Sequence, residues 1–372
     1  MKPADPIGDA MRKAVDDGVF PGAVLLVRHV GQTVFHQAFG NAALIPAQEP
    51  ARLDTIYDLA SLTKPLATTT AVLCLVRDGR LRLDDPAQRH IEELKGSPVG
   101  EATVYHLLTH SSGLPAWRPL YERIEQEGRR TQGFFDNETI WKLALALIKQ
   151  EPLEASPGAR SVYSDLGFIL LGVLVERASG AGLATYCRES IFKPMNAWLS
   201  FLTGRSMAAA VSRRIAPTEE DPGRGWPLRG LVHDENALAL GGVAGHAGLF
   251  GTAEAVGVVT GQWLNAWAGR SSLLPSDLVK RFTTRQEAIA GSSWAMGWDT
   301  PSAPSSSGRR FSPSSFGHLG YTGTSIWVDP SQELEVVLLS NRVHPTRRNE
   351  AIKQFRPRIH DLIYDEMVAG SR

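Results

Sequence analysis

The feature that most constrains this chain is the placement of its two strand-rich segments near opposite ends. Gly22–Gly40, "GAVLLVRHVGQTVFHQAFG", is rich in Val, Leu and Phe and is split by Gly31, which reads as two antiparallel strands. Thr324–Arg342, "TSIWVDPSQELEVVLLSNR", repeats the scheme around a turn at Asp329–Gln332. Between them the signals are mainly helical, at Ser61–Arg77, Val104–Leu108, Asn137–Gln150 and Asp165–Gly180. Ser, Asp and Asn mark helix starts and Gly marks ends. A closing helix is expected from about Asn349 to Val368. The two ends are therefore expected to pair in one antiparallel sheet, with helices inserted between them.

With 372 residues, 43% of them hydrophobic, the chain can bury a large core in one big domain or two packed ones. Lys plus Arg (39) balances Asp plus Glu (39), which argues against electrostatic capture of nucleic acid or an anionic membrane. No apolar run is long enough to span a bilayer, so no membrane insertion is expected. The N-terminal "MKPADPIGDAMRKAVDDG" reads as a polar-faced helix without a signal-peptide core, and the expected location is cytoplasmic unless a leader has been removed. Cys74 and Cys187 read as ordinary core residues rather than a disulfide. Two stretches read as mobile, Pro217–Arg229 and the Ser- and Pro-rich Pro301–Ser315.

Ser61 precedes Lys64 by three residues, so on a helix the hydroxyl and the amine share a face. Ser61 also opens the helix, where free N–H groups and the dipole favour developing negative charge. A serine needs a base to become a nucleophile, and a lysine serves only if its surroundings tune its pKa. Spacing alone favours a helix cap beside a common lysine. Ser190 and Lys193 even repeat it, with Pro194 following as Pro65 follows Lys64. Ser190, however, falls near a helix C-terminus, where the dipole repels an oxyanion.

Tyr163 and Asp165 stand just before an apolar helix, placed either to face a cleft or to serve as a packing tyrosine and a helix cap. "FGHLGYTGTSIWVDP" (Phe316–Pro330) puts a Gly-rich segment, His318–Gly323, at the start of a strand. There the backbone can approach a ligand closely. His233, Asp234 and His246 invite a metal reading, but no third ligand has an obvious spacing, and a cleft wall is preferred. His233 or Asp234 would then contact substrate, and His246, between glycines, would mark a tight turn.

Taken together and in this order, these segments resemble the serine β-lactamase and penicillin-binding-protein superfamily, specifically the class C β-lactamase, DD-peptidase and esterase branch. "DGRLRLDDP", "TVYHLLTHSSGLP" and "GGVAGHAGLFGTAEAV" also look like that branch, so the resemblance covers most of the chain. It implies an α+β fold with a central antiparallel sheet flanked by helices, plus a mainly helical domain. The sheet domain would take 1–79 with 240–372, the helical domain 80–239, and the active cleft would lie between them.

The resemblance implies Ser61 as the acylated nucleophile, Lys64 as its proton partner and Tyr163 as the second acid-base group. The oxyanion hole would be the backbone N–H of Ser61 and of Tyr321. His318, Leu319 and Gly320 match the family's Lys-Thr-Gly motif, so His318 and Gly320 would border the substrate. His106 and His110 would be structural. Two departures bear on substrate. Asp165 borders the substrate where β-lactamases usually have an asparagine that binds the substrate amide, and as a carboxylate would rather anchor Lys64 electrostatically, keeping its pKa high. His318 and Leu319 replace a cation and a hydroxyl, which weakens recognition of a β-lactam carboxylate.

The expected function is a cofactor-free, metal-free serine hydrolase acting through a Ser61 acyl-enzyme on a small ester or amide, or on a muropeptide. The alternatives are a true class C-type β-lactamase or D-Ala-D-Ala carboxypeptidase and, from another class, a non-catalytic peptide-binding scaffold. Pro301–Ser315 is expected to act as a flap over the cleft.

Overall fold

The computed structural model describes residues 5–131, 135–203, 209–221, 223–224 and 227–369. The first four residues of the expected N-terminal helix and part of the expected mobile stretch Pro217–Arg229 lie outside the described residues.

Among the described residues nine strands form: β1 (Gly22–His29), β2 (Gln32–Ala43), β3 (Glu49–Pro50), β4 (Tyr57–Asp58), β5 (Leu199–Phe201), β6 (Leu249–Gly251), β7 (Phe316–Leu319), β8 (Ser325–Asp329) and β9 (Leu334–Ser340). Six of them make one sheet in the order β3-β2-β1-β9-β8-β7, and the remaining three make a small sheet in the order β4-β6-β5. Every pairing between named strands is antiparallel. β1 and β2 reverse at Val30–Gly31, both at positive φ (49° and 73°), the twist a two-residue hairpin turn needs. β1 then pairs with β9, Leu25 opposite Leu338, so the two ends of the chain meet at the centre of the sheet.

All seven residues of β9 are buried, as are the first six of β1, so both faces of the sheet are covered. On one face Leu25, Val336, Leu338 and Trp327 pack with Met11 of helix Pro6–Asp16 and Ile359 and Ile363 of helix Ile352–Tyr364. On the other, Val24, Leu26, Val337 and Leu339 join a larger cluster that includes helices Thr70–Arg77, Asp165–Ser179 and Ala253–Trp267. Helix Asp165–Ser179 is buried at every residue from Leu166 to Val175, which explains its nearly uniform apolar sequence.

The helices at Val104–Leu108 and Asn137–Gln150 form over their predicted ranges, and the helix from Asp165 stops at Gly180 in the left-handed region (φ 71°). The Ser61–Arg77 segment departs from expectation. It begins as a 3-10 turn at Ala60–Leu62, widens to a π-helical stretch over Lys64–Thr69 and becomes α-helical only at Thr70. Pro65 supplies no N–H to the ladder there, and Thr70 Oγ1 donates to Pro65 O at 2.9 Å. Thr68 Oγ1 reaches out of the helix to Gly245 O at 2.7 Å.

Two further expectations are corrected. His318 and Leu319 end strand β7 rather than start one, and the following strand begins only at Ser325, after a turn through Gly320–Thr324. Pro301–Ser315 is not a flap: Ser312 N–H donates to Asp329 Oδ2 (2.8 Å), Arg309 N–H to Asp361 Oδ1 (2.6 Å), and Phe311 is buried beside Trp327. Its composition suits a segment held by short polar side chains and backbone bonds as well as a loose one.

Candidate active site

Where the strand β7 end meets the 3-10 turn at Ala60–Leu62, a cleft of about 650 Å³ opens. Its lining includes Ser61, Tyr163, Asp165, His233, Asp234, His318, Gly320 and Tyr321, so residues far apart in sequence converge on one surface. The junction is close because Gly320 has no side chain: a Cβ there would collide with Thr324 and lie 2.7 Å from Leu59 O. Thr322 Oγ1 and Thr324 Oγ1 then stitch the turn to Asp58 O (2.7 Å) and Leu59 O (3.1 Å).

Lys64 is wholly buried and spends all three ammonium protons. Nζ donates to Ser61 Oγ (2.9 Å), to Asp165 Oδ1 (2.7 Å) and to the carbonyl of His246 (3.3 Å). It also lies 4.8 Å from the centre of the Tyr163 ring, close enough for the two groups to act on each other's ionisation. Burial opposes the Lys64 charge, but Asp165 and Tyr163 outweigh it and hold its pKa above the ordinary lysine value. Burial likewise raises the Tyr163 phenol, against the pull of Lys64. At neutral pH the resting site is therefore an ammonium, a neutral phenol and a neutral serine.

Asp165 opens its helix one residue after the N-cap Ser164, whose Oγ accepts from Gly167 N–H and donates to Pro115 O at 2.7 Å. Its carboxylate is the counterion of Lys64, as the sequence implied. His110 braces this corner: its Nδ1 accepts from Ser164 N–H at 3.0 Å, leaving the proton on Nε2. Burial, then Lys64, keep His110 well below the ordinary histidine pKa, and its ring lies 4.6 Å from that of Tyr163. His106 closes a capping box with Thr103 instead.

Neither Ser61 N–H nor Tyr321 N–H has an acceptor among the described residues. Ala60, just before the serine, is held at φ 47°, a left-handed conformation unusual for alanine, and its N–H donates to Asp58 Oδ1 at 2.8 Å. The other oxygen of Asp58 accepts from His233 N–H at 2.7 Å. One buried carboxylate thus ties the serine turn to the opposite cleft wall, and sequence inspection gave it no role.

His318 is buried. Its Nδ1 donates to Leu319 O at 2.8 Å, which leaves Nε2 a bare acceptor with no partner among the described residues. Burial first and Lys64 second push its pKa down to about 3, so it is neutral where the family motif has a lysine. His233 is stacked against Tyr321 (centroids 5.6 Å apart), and burial pushes it down to about 4. Asp234 borders the cleft, but its Oδ1 is already committed to Ala237 N–H and His246 Nε2, both at 2.8 Å. His246 does more than mark a turn: its ring pairs with Asp234 and its carbonyl receives Lys64. Trp294, absent from the sequence reading, stacks on Tyr163 (5.3 Å, 28°) and faces His318 at 5.5 Å. No motif surrounds it, so only the fold reveals it.

This combination of a two-faced antiparallel sheet, a helical wall and a serine–lysine pair defines the β-lactamase and transpeptidase-like class of folds. The β-lactamase family model matches residues 7–357, and the chain belongs to that family. It is a serine hydrolase of this kind. A "Putative D-alanyl-D-alanine carboxypeptidase" of Escherichia coli (strain K12) is 33% identical over 356 residues, covering 89% of this chain and 80% of that one. Among solved structures, EstCE1, "a hydrolase with promiscuous acyltransferase activity", superposes with a TM-score of 0.74 at 20% identity, covering 96% of this chain and 97% of that one. A class C β-lactamase gives 0.72 at 18%, covering 95% and 94%. At such identities these two likenesses speak for the fold alone.

Proposed function

We propose that the chain hydrolyses an ester or amide through an acyl-enzyme on Ser61. The observation that carries this reading is the chain of contacts from Ser61 Oγ through the buried Lys64 ammonium to Asp165, at 2.9 and 2.7 Å, with the Tyr163 ring centre 4.8 Å from that ammonium. A binding scaffold has no use for a buried lysine held in this way.

Lys64 and Tyr163 lie close enough together to act as one acid-base pair in this scheme. Loss of one proton from the pair gives the reactive form. As Ser61 Oγ attacks the carbonyl carbon, its proton passes to the pair, and the oxyanion forms between the N–H groups of Ser61 and Tyr321. Collapse breaks the bond to the alcohol or amine, which takes that proton as it leaves. Water then gives a proton to the pair and attacks the acyl carbon. Collapse of the second intermediate releases the acid and returns the proton to Ser61 Oγ.

Neutral His318 and apolar Leu319 speak for an acyl substrate other than a β-lactam, because neither offers a cation to a carboxylate. His318 Nε2, an acceptor with no partner among the described residues, would in this reading take a hydrogen bond from a substrate or acceptor N–H or O–H instead. A D-Ala-D-Ala peptide is the second reading, supported by the name of the Escherichia coli relative. The test is an alkyl fluorophosphonate, with the added mass located by peptide mapping in wild type, Ser61→Ala and Ser190→Ala. Labelling confined to Ser61 is expected, and labelling at Ser190, or none, refutes the mechanism. Initial rates on an aryl ester, a chromogenic cephalosporin and a D-Ala-D-Ala peptide then rank the substrates.

A further inference from the structure

Four cationic side chains line the cleft, and two of them have matching acids. Arg347 is paired with Glu219 and with Glu235 (2.7 Å), and Lys353 with Glu350 (2.7 Å). Arg342 and Arg356 are buried, 5% and 6% exposed, and neither has an ion-pair partner among the described residues. Glu350 feels the Arg342 charge but bonds to Lys353. Two buried cations with no ion pair among the described residues are costly, which asks what they do there.

Their N–H groups converge on the Gly320–Thr324 turn. Arg356 Nη2 donates to Gly320 O (3.0 Å) and Thr324 O (2.7 Å). Arg342 Nε donates to Tyr321 O (2.9 Å), Nη1 anchors on the carbonyls of Arg347 and Asn349, and the guanidinium sits 4.5 Å over the Tyr321 ring. The peptide group that carries Gly320 C=O also carries Tyr321 N–H, at its opposite end. A cationic donor on that oxygen draws electron density through the amide and makes the N–H a stronger donor. The next peptide is held through its own oxygen by Arg342, so both planes flanking Tyr321 are fixed. Burial, followed by Arg342, pushes Arg356 down to about 9, which still leaves it charged at neutral pH.

We infer that Arg356 and Arg342 are positioning residues of the oxyanion site. They orient the backbone around Tyr321 and polarise its N–H toward the charge that develops on the attacked carbonyl. The inference rests on the proposed roles of Ser61 and Tyr321, and it accounts for two buried cations that the reaction scheme leaves unused.

The experiment measures kcat and KM for an aryl ester, and Ki for an arylboronic acid that forms a tetrahedral adduct, in wild type, Arg356→Met, Arg356→Lys and Arg342→Gln. Circular dichroism and thermal melts accompany each protein. Arg356→Met is expected to lower kcat about tenfold to a hundredfold with KM within about twofold, because the affected interaction strengthens only in the transition state. Boronate affinity should fall in parallel, and Arg356→Lys should restore part of both. Arg342→Gln should show the same pattern at smaller size, and it carries the test if Arg356→Met does not fold. Unchanged kcat and Ki in a folded variant, or a loss confined to KM, overturns the inference. Wild type that fails to label at Ser61 removes the oxyanion reading and this inference together. Labelled wild type beside unaffected variants removes this inference alone.

Discussion

The chain contains the pattern Ser-x-x-Lys-Pro twice, and the two copies have opposite surroundings. At Ser61 the lysine is fully buried, bonded to its serine, to Asp165 and to a backbone carbonyl. At Ser190 the serine is exposed on a π-helical turn that ends at Phe192, and Lys193, 75% exposed, makes a 3.4 Å contact with Glu189. Both copies have a proline that interrupts regular helical bonding. What separates them is the third partner and the exclusion of water. A lysine in water keeps its mobility, whereas one enclosed by a carboxylate, a phenol and a carbonyl holds a fixed position beside the nucleophile.

Substitution of the two lysines should separate the copies most strongly. Lys64→Met is expected to slow Ser61 acylation by about a thousandfold, in the range of a lost general acid-base group, while Lys193→Met leaves it unchanged. Stopped-flow kinetics with an aryl ester reads both. Equal effects would break the comparison. Tyr163→Phe comes next, with an expected loss of about a hundredfold in kcat/KM.

The role of Asp165 is sharpened by pH. Lys64 and Tyr163 are both raised, and the reactive form has lost one proton, so kcat/KM should climb toward alkaline pH. Asp165 is what overcomes burial at Lys64, so Asp165→Asn weakens the hold on that proton. The rising limb should then move to lower pH, and a limb that stays in place or moves up refutes the assignment. The smallest effect is expected at Glu189→Gln, which should leave both the labelling rate and the melting midpoint as they were, since exposed pairs contribute little.

The central sheet was legible because Val- and Leu-rich runs and the turn residues between them in β1, β2, β8 and β9 act over short distances. Helix Asn137–Gln150 was legible for the same reason, with an acidic cap and an uninterrupted run. The opening of the Ser61 helix was not, because its π-helical widening depends on Pro65 together with contacts from Thr68 to a loop 177 residues later. The placement of Ser61, Lys64, Tyr163 and His318 around one cleft followed from family likeness rather than from spacing. Asp58, Trp294, Arg342 and Arg356 had no local signature at all. Their positions follow from burial and from bonds to backbone groups, which no linear pattern encodes.

The pairing of β1 with β9 has a consequence for biosynthesis. Strand β1, which ends at His29, leaves the ribosome long before its partner, which begins at Leu334. Until then the β1–β2 hairpin presents a Val- and Leu-rich edge with unpaired backbone groups, an invitation to association with other chains. Contacts of such long sequence separation form slowly. The turn carrying Tyr321 sits between β7 and β8, which reach the rest of the sheet through β9, so the cleft takes shape only once β9 has been made.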